Sequence, residues 1–85
     1  MKHTNWDDLR LLLLIAQEGT LRGAARKAGL SPATLSRRLD ELEEALGQRV
    51  VERFQGGCIP TAFGADIIAW AGQMGEIALE IERTR

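Results

Sequence analysis

Five basic residues, Arg22, Arg26, Lys27, Arg37 and Arg38, lie between Thr20 and Leu39 with no acid among them, and Asp40 to Glu44 then holds four acids. Screening limits electrostatic reach to about 8–10 Å at physiological salt, so a polyanion responds to the local patch. The formal net charge of −1, from 11 Lys and Arg against 12 Asp and Glu, is a cancellation of two opposed patches. Phosphate recognition suits the basic stretch, although a solvated helix face of mixed sign fits the same charges. Other chemistry has little to work with. His3 and Cys58 are the single residues of their types, too few for a zinc site or an internal disulfide. No Ser/His/Asp or Cys/His set is available, so the expectation is a non-enzyme without metal or cofactor.

The elements that must position these charges are helical. The 85 residues, 45% hydrophobic and 27% charged, make one small folded domain that leans on a partner chain for stability. The longest apolar run, Leu11 to Ala16, is far short of the ~20 residues of a membrane span. No secretory leader is visible, and with one cysteine a reduced cytoplasmic setting fits best.

Asn5 reads as an N-cap, with Asp7 and Asp8 in the first turn of a helix carrying Trp6, Leu9, Leu12, Leu13 and Ala16 at helical spacing. Leu11, Leu14 and Ile15 make this helix apolar over more than one face, so two neighbours are expected. Gly19 stops it, and Thr20 caps a short helix of Leu21, Ala24, Ala25 and Ala28 that ends at Gly29. Ser31 is the next N-cap, Pro32 takes N1, and Leu30 and Leu35 form a hydrophobic staple. Leu35, Leu39, Leu42 and Leu46 are the buried stripe of this third helix, closed by Gly47. Two helices separated by so short a glycine turn are a helix-turn-helix.

At about 100° per residue, Ala33 and Arg37 lie opposite that leucine stripe, flanked by Thr34 and Ser36, with Arg38 nearer the edge. The acidic second half of the helix would be repelled from a polyanion, so only its first two turns can approach. The N-terminal part of a recognition helix enters a major groove in this way. Arg37 is placed to reach base edges, and Ser36 and Arg38 suit phosphate. Ser31 and Pro32 are helix-start residues first, with the backbone N–H groups there able to hold a phosphate.

Val50 to Phe54 reads as a strand, Gln55-Gly56-Gly57 as a turn and Cys58-Ile59 as the return strand. Arg53 either brings positive charge to this wing or pairs with Glu52 or another acid and shapes it. Pro60-Thr61 begins a helix to about Arg83. In it Phe63, Ile67, Trp70, Met74, Ile77 and Ile81 recur at spacings of 4, 3, 4, 3 and 4, a heptad seam. A second copy would cover it, while Phe63 and Ile67 also suit packing on the first helix.

Over residues 6–64 the chain resembles the DNA-binding domain of LysR-type transcriptional regulators. The resemblance rests on the leucines from Leu9 onward, Gly19-Thr20, Ala24-Ala25, Leu30-Ser31, Leu35-Ser36-Arg37, Leu42-Glu43, Leu46-Gly47, Arg53, and Thr61 with Gly64. It implies a mainly α winged helix-turn-helix in residues 1–60 and a dimerising linker helix in 61–85. It also implies homodimeric binding to an interrupted palindrome in double-stranded promoter DNA. Pro32, Ala33, Ser36 and Arg37 match the groove-facing positions of the family. Departures are Pro32-Ala33 for the usual Gln-Pro, Val50-Val51 for Leu-Phe, Gly56 for a basic wing tip, and Arg22 for a frequent hydroxyl residue. Arg22 is then a compensating phosphate contact. Full-length members add a C-terminal domain for a small-molecule inducer. The charged, uncapped stretch Glu82-Arg83-Thr84-Arg85 is what an excised piece of such a protein would show.

The DNA-binding set expected from sequence is thus Arg22, Ser31, Pro32, Ala33, Thr34, Ser36, Arg37, Arg38 and Arg53. The competing expectation is a protein-interaction module that heterodimerises through the 63–81 seam and modulates another regulator.

Overall fold

The computed structural model describes residues 5–84, so His3 and Arg85 lie outside it. Helices α1 (Trp6–Glu18), α2 (Leu21–Ala28) and α3 (Pro32–Leu46) precede a hairpin of β1 (Val51–Phe54) and β2 (Gly57–Pro60), and α4 (Ala62–Arg83) follows. Each helix starts where its cap chemistry dictates. Asn5, Thr20, Ser31 and Thr61 stand in extended conformation, and their side-chain oxygens accept from Asp7, Gly23, Thr34 and Gly64 backbone N–H groups. Gly19, Gly29 and Gly47 close α1 to α3 in the left-handed region.

The core is built from Leu11, Leu12 and Ile15 of α1, Ala24 and Ala25 of α2, and Leu35, Leu39 and Leu42 of α3, with Val50, Val51 and Cys58 from the wing. The alanines of α2 let α1 and α3 close on it. The inward edge of α1 is turned relative to the expectation: Leu11 and Ile15 are buried, whereas Ala16 is exposed. The helix packs against α2, α3, α4 and β2; Leu9 is half-buried against the core, and of the expected face only Ala16 is exposed. Among the described residues no helix is long and apolar enough to cross a membrane.

The hairpin is shifted by one residue from the expectation. Phe54 pairs with Gly57 and Val51 with Pro60, leaving Gln55-Gly56 as a two-residue turn with Gly56 at φ +96°. Val50 falls outside the strand because its N–H is diverted to α3, while its carbonyl still bonds Thr61, the residue opposite it in the hairpin register. Its N–H donates to Glu43 Oε2 of α3 at 2.8 Å, and its carbonyl accepts from Thr61 N–H at 3.0 Å. Pro60 consequently ends β2 instead of opening α4, and it sits at the end of the ladder, where a missing N–H is tolerated.

Two further bonds seat the wing. Cys58 N–H donates to the Gly19 carbonyl at 3.0 Å, joining β2 to the α1–α2 turn. Thr61 Oγ1 donates to the Arg49 carbonyl at 2.8 Å. Burial pushes the Cys58 thiol above its ordinary pKa against the opposing pull of Arg53, so the thiol stays protonated and unreactive near neutrality.

The first turn of α4 lies directly on Val50: a Cβ on Gly64 would run into the Val50 carbonyl oxygen and crowd its carbonyl carbon. A glycine there is a steric requirement. Gly72, in the same helix, has open space around it. Gly64→Ala is expected to cost roughly 3 kcal/mol or more, whereas Gly72→Ala should be neutral or stabilising by about 0.5–1 kcal/mol. Urea unfolding of the two variants measures the contrast, and equal effects would contradict the close approach.

Candidate nucleic-acid interface

The turn between α2 and α3 carries the site. Leu30 N–H returns to the Ala25 carbonyl at 2.9 Å and Gly29 N–H to Arg26 at 3.3 Å, a closure that ends α2 and sets the entry of α3. Ser31 Oγ accepts from Thr34 N–H at 3.1 Å and donates to Thr34 Oγ1 at 2.9 Å. The opposite face of α3 is anchored by Leu35, Leu39 and Leu42. Ser31, Pro32, Ala33 and Arg37 are therefore turned to solvent, with Thr34 and Ser36 half-buried beside them. None of the apolar core covers this edge.

Each arginine of the α3 region has a carboxylate partner. Arg37 Nη1 reaches Glu41 Oε1 at 2.8 Å, both side chains being at least half exposed. An exposed pair at this spacing is worth only about 0.2–0.5 kcal/mol, so Arg37 is readily released to a better acceptor. Arg38 differs. Sequence reasoning aims it at phosphate, but its Nε and Nη2 donate to Asp8 Oδ1 at 3.2 and 2.8 Å. It ties α3 to the first turn of α1, and both side chains are largely withdrawn from solvent.

Arg53 likewise turns inward. Nη1 donates to Ser36 Oγ at 3.1 Å, Nη2 meets Asp40 Oδ1 at 2.7 Å, and Glu43 Oε1 lies 3.8 Å away. Glu43 also receives the Val50 and Val51 N–H groups on its other oxygen, at 2.8 and 3.4 Å. Arg53 thus shapes the wing, and its partners are Asp40 and Glu43 instead of Glu52. Two of the α3 acids, read from sequence only as a repulsive segment, are the clamp that holds the wing to α3. The Arg37–Glu41 pair was visible as an i,i+4 spacing; Asp8 and Arg38 are 30 positions apart, and no local signal joins them.

Among the described residues Arg22, Arg26, Lys27 and Arg49 are exposed cations outside these pairs. Arg22 and Arg26 are exposed on α2, and neither forms an ion pair or side-chain hydrogen bond there. Arg22 belongs to the expected set; Arg26 was counted in the basic stretch but given no role.

On α4 the expected seam divides. Phe63 and Ile67 are half-buried against the core, while Trp70, Met74, Ile77 and Ile81 are 48–62% exposed. The helix lays a different face on α1: Ala71 is buried, and a Cβ on Gly75 would meet the Trp6 ring at 3.7 Å. The Trp70–Ile81 stripe is consequently left uncovered.

Three helices, a two-stranded wing packed beside the third, and a helix returning along the first make this a winged helix-turn-helix protein. The profile of bacterial regulatory helix-turn-helix proteins of the lysR family matches residues 6–65, and the chain belongs to that family. It is 39% identical over 72 residues to an uncharacterized HTH-type transcriptional regulator of Mycobacterium tuberculosis, covering 85% of this chain and 23% of that protein. It therefore spans about a quarter of the length of this relative. Among solved structures, full-length LysG from Corynebacterium glutamicum superposes with a TM-score of 0.90 at 30% identity, over 96% of this chain and 28% of LysG. The CbnR DNA-binding domain in complex with DNA superposes with a TM-score of 0.86 at 25% identity, over 94% of this chain and 92% of that one.

A double-mutant cycle of Asp8→Ala and Arg38→Ala should show a coupling energy of about 0.5–1 kcal/mol in urea unfolding, shrinking in high salt. Additive losses would mean that the pair does not tie the helices together.

Proposed function

We infer that this chain binds double-stranded DNA sequence-specifically as a homodimer, with the start of α3 in the major groove. The carrying observation is the outward edge from Ser31 to Arg37, which the leucine face of α3 turns away from the protein's own interior. Membership of the lysR family and the likeness to a DNA-binding domain solved on DNA support the reading.

In this arrangement Pro32 and Ala33 offer van der Waals contact to base edges. Arg37 exchanges Glu41 for a guanine O6/N7 edge, which a guanidinium matches with two hydrogen bonds. Ser36 and Thr34 flank it, and the Ser31 end of α3 faces phosphate with its backbone N–H groups. Arg38 and Arg53 act one step back, holding α3 to α1 and to the wing.

Residues 1–60 read DNA in this account, and residues 61–85 join two copies. The exposed Trp70, Met74, Ile77 and Ile81 form an apolar stripe that a second α4 covers by knobs-into-holes contact. Two readers fixed by one helix pair call for a site of two half-sites.

Selection of bound oligonucleotides from a random duplex pool tests this, and an interrupted palindrome is the expected product. On that duplex Arg37→Ala should cost about 1–3 kcal/mol and relax one base position. Recovery of no shared sequence would contradict specific binding. Ile77→Glu, at an exposed position, should leave the circular dichroism unchanged and convert a dimer into a monomer in light scattering; a persistent dimer would place the contact elsewhere.

A further inference from the structure

Lys27 belongs to the basic stretch but not to the reading edge. It follows Arg26 by about 100° around α2 and lies on a different flank from Arg22 and Arg26. There it borders a shallow cup of about 310 Å³ between α1 and the end of α2. Leu11, Leu14 and Leu30 form the floor, and Arg10, Lys27 and Arg38 the rim, with Asp7 beside Arg10.

A second feature stands apart on α4. Leu79 is 55% exposed and lies on the opposite side of the helix from Trp70, Met74, Ile77 and Ile81. Glu76 and Glu82, three positions before and after it, flank it on the same face. Arg83, the only basic residue of α4, is drawn to Glu80 instead. We propose that this acid-flanked leucine docks in the cationic cup of a second copy of this chain, at an interface distinct from the α4 stripe.

The chemistry matches on both sides. Lys27 has no carboxylate partner among the described residues, and Arg10 reaches Asp7 only at 3.9 Å, both side chains being about two-thirds exposed. Arg38 is satisfied by Asp8, which leaves Arg10 and Lys27 to meet Glu76 and Glu82. Those two carboxylates likewise form no ion pair among the described residues. The leucine floor receives the Leu79 side chain. A phosphate backbone would have no use for that floor and would meet Asp7.

Position makes the contact two-fold. Arg10 borders the cup and also the hollow between Trp6 and Leu79 that Glu82 edges. Cup and leucine are thus neighbours on one surface, and such a patch complements itself under a two-fold rotation, each copy giving its leucine and receiving the other's. Because Leu79 and the stripe face opposite ways, a dimer joined by the stripe keeps its patches free. Two such dimers then meet as four chains. That last step rests on the stripe reading; the patch contact itself does not.

Sedimentation velocity of the whole chain, from dilute solution to the limit of solubility at low and high salt, tests this. With rising concentration the dimer should pass into a four-chain species, less readily at high salt. Leu79→Glu should remove that species and leave both the dimer and the circular dichroism unchanged. Lys27→Glu and Glu76→Lys should each raise the concentration required about fivefold to tenfold, since a two-fold contact holds the pair twice. The chain carrying both reversals should return toward the parent.

A dimer that remains the largest species throughout would overturn the proposal. So would a four-chain species that Leu79→Glu leaves intact, or reversals that do not rescue each other. If Lys27→Gln weakens binding to the selected duplex as much as Arg37→Ala does, the cup belongs to DNA and the proposal falls. Ile77→Glu separates this contact from the stripe. A monomer that still pairs at high concentration through Leu79 supports both, whereas an undisturbed dimer with Leu79-dependent larger species removes the stripe alone.

Discussion

The orientation of the reading helix is set at one backbone unit, Val50. Its N–H is held by Glu43 of α3, its carbonyl by the N–H of Thr61, and its backbone is overlain by Gly64 of α4. Val50 is itself fully buried, so neither polar group has water to fall back on. A buried backbone group left unpaired costs about 1–3 kcal/mol, a large share of the stability of so small a domain. Helix α3, the wing and the helix that carries the apolar stripe are therefore joined at a point that cannot loosen in one part alone. Whatever α4 pairs with thereby fixes where α3 points.

The second constraint is electrostatic. A helix that approaches DNA with Asp40, Glu41 and Glu43 on it needs those charges occupied. Arg53 sits between Asp40 and Glu43, and Glu41 sits on Arg37. The same contacts brace the wing and hold Arg37 extended along the helix until a stronger acceptor appears. The cations outside these pairs are Arg22, Arg26 and Lys27 on α2 and Arg49 ahead of the wing. A chain of net charge −1 can thus present an anion-binding face, because Asp40, Glu41 and Glu43 of α3 are matched by Arg53 and Arg37.

Much of this was legible in the sequence because it is local. Caps and glycine stops are decided by the residue and its neighbours two to four positions away, and Asn5, Thr20, Ser31, Gly19, Gly29 and Gly47 stand where their chemistry puts them. The 4-3 spacing of the α4 stripe is equally local. The inner face of α4 is made of Gly64, Ala71 and Gly75, small residues that carry no hydropathy signal; Gly64 lets the Val50 backbone come close and Gly75 the Trp6 ring of α1. The start of β1 was misplaced by one residue since Glu43, a helix residue, takes the Val50 N–H that a strand would use. Asp8–Arg38 and Arg53–Asp40 depend on chain segments meeting in space, and spacing alone does not announce them.

The claim that the Ser31–Arg37 edge is the surface that meets DNA is tested most directly by amide chemical-shift mapping of the labelled chain with the selected duplex. The account predicts the largest perturbations at Ala33, Thr34, Ser36 and Arg37, smaller ones near Arg22, and little change in the Leu11–Ile15 core. Perturbations confined to the exposed stripe of α4, with the start of α3 silent, would contradict it.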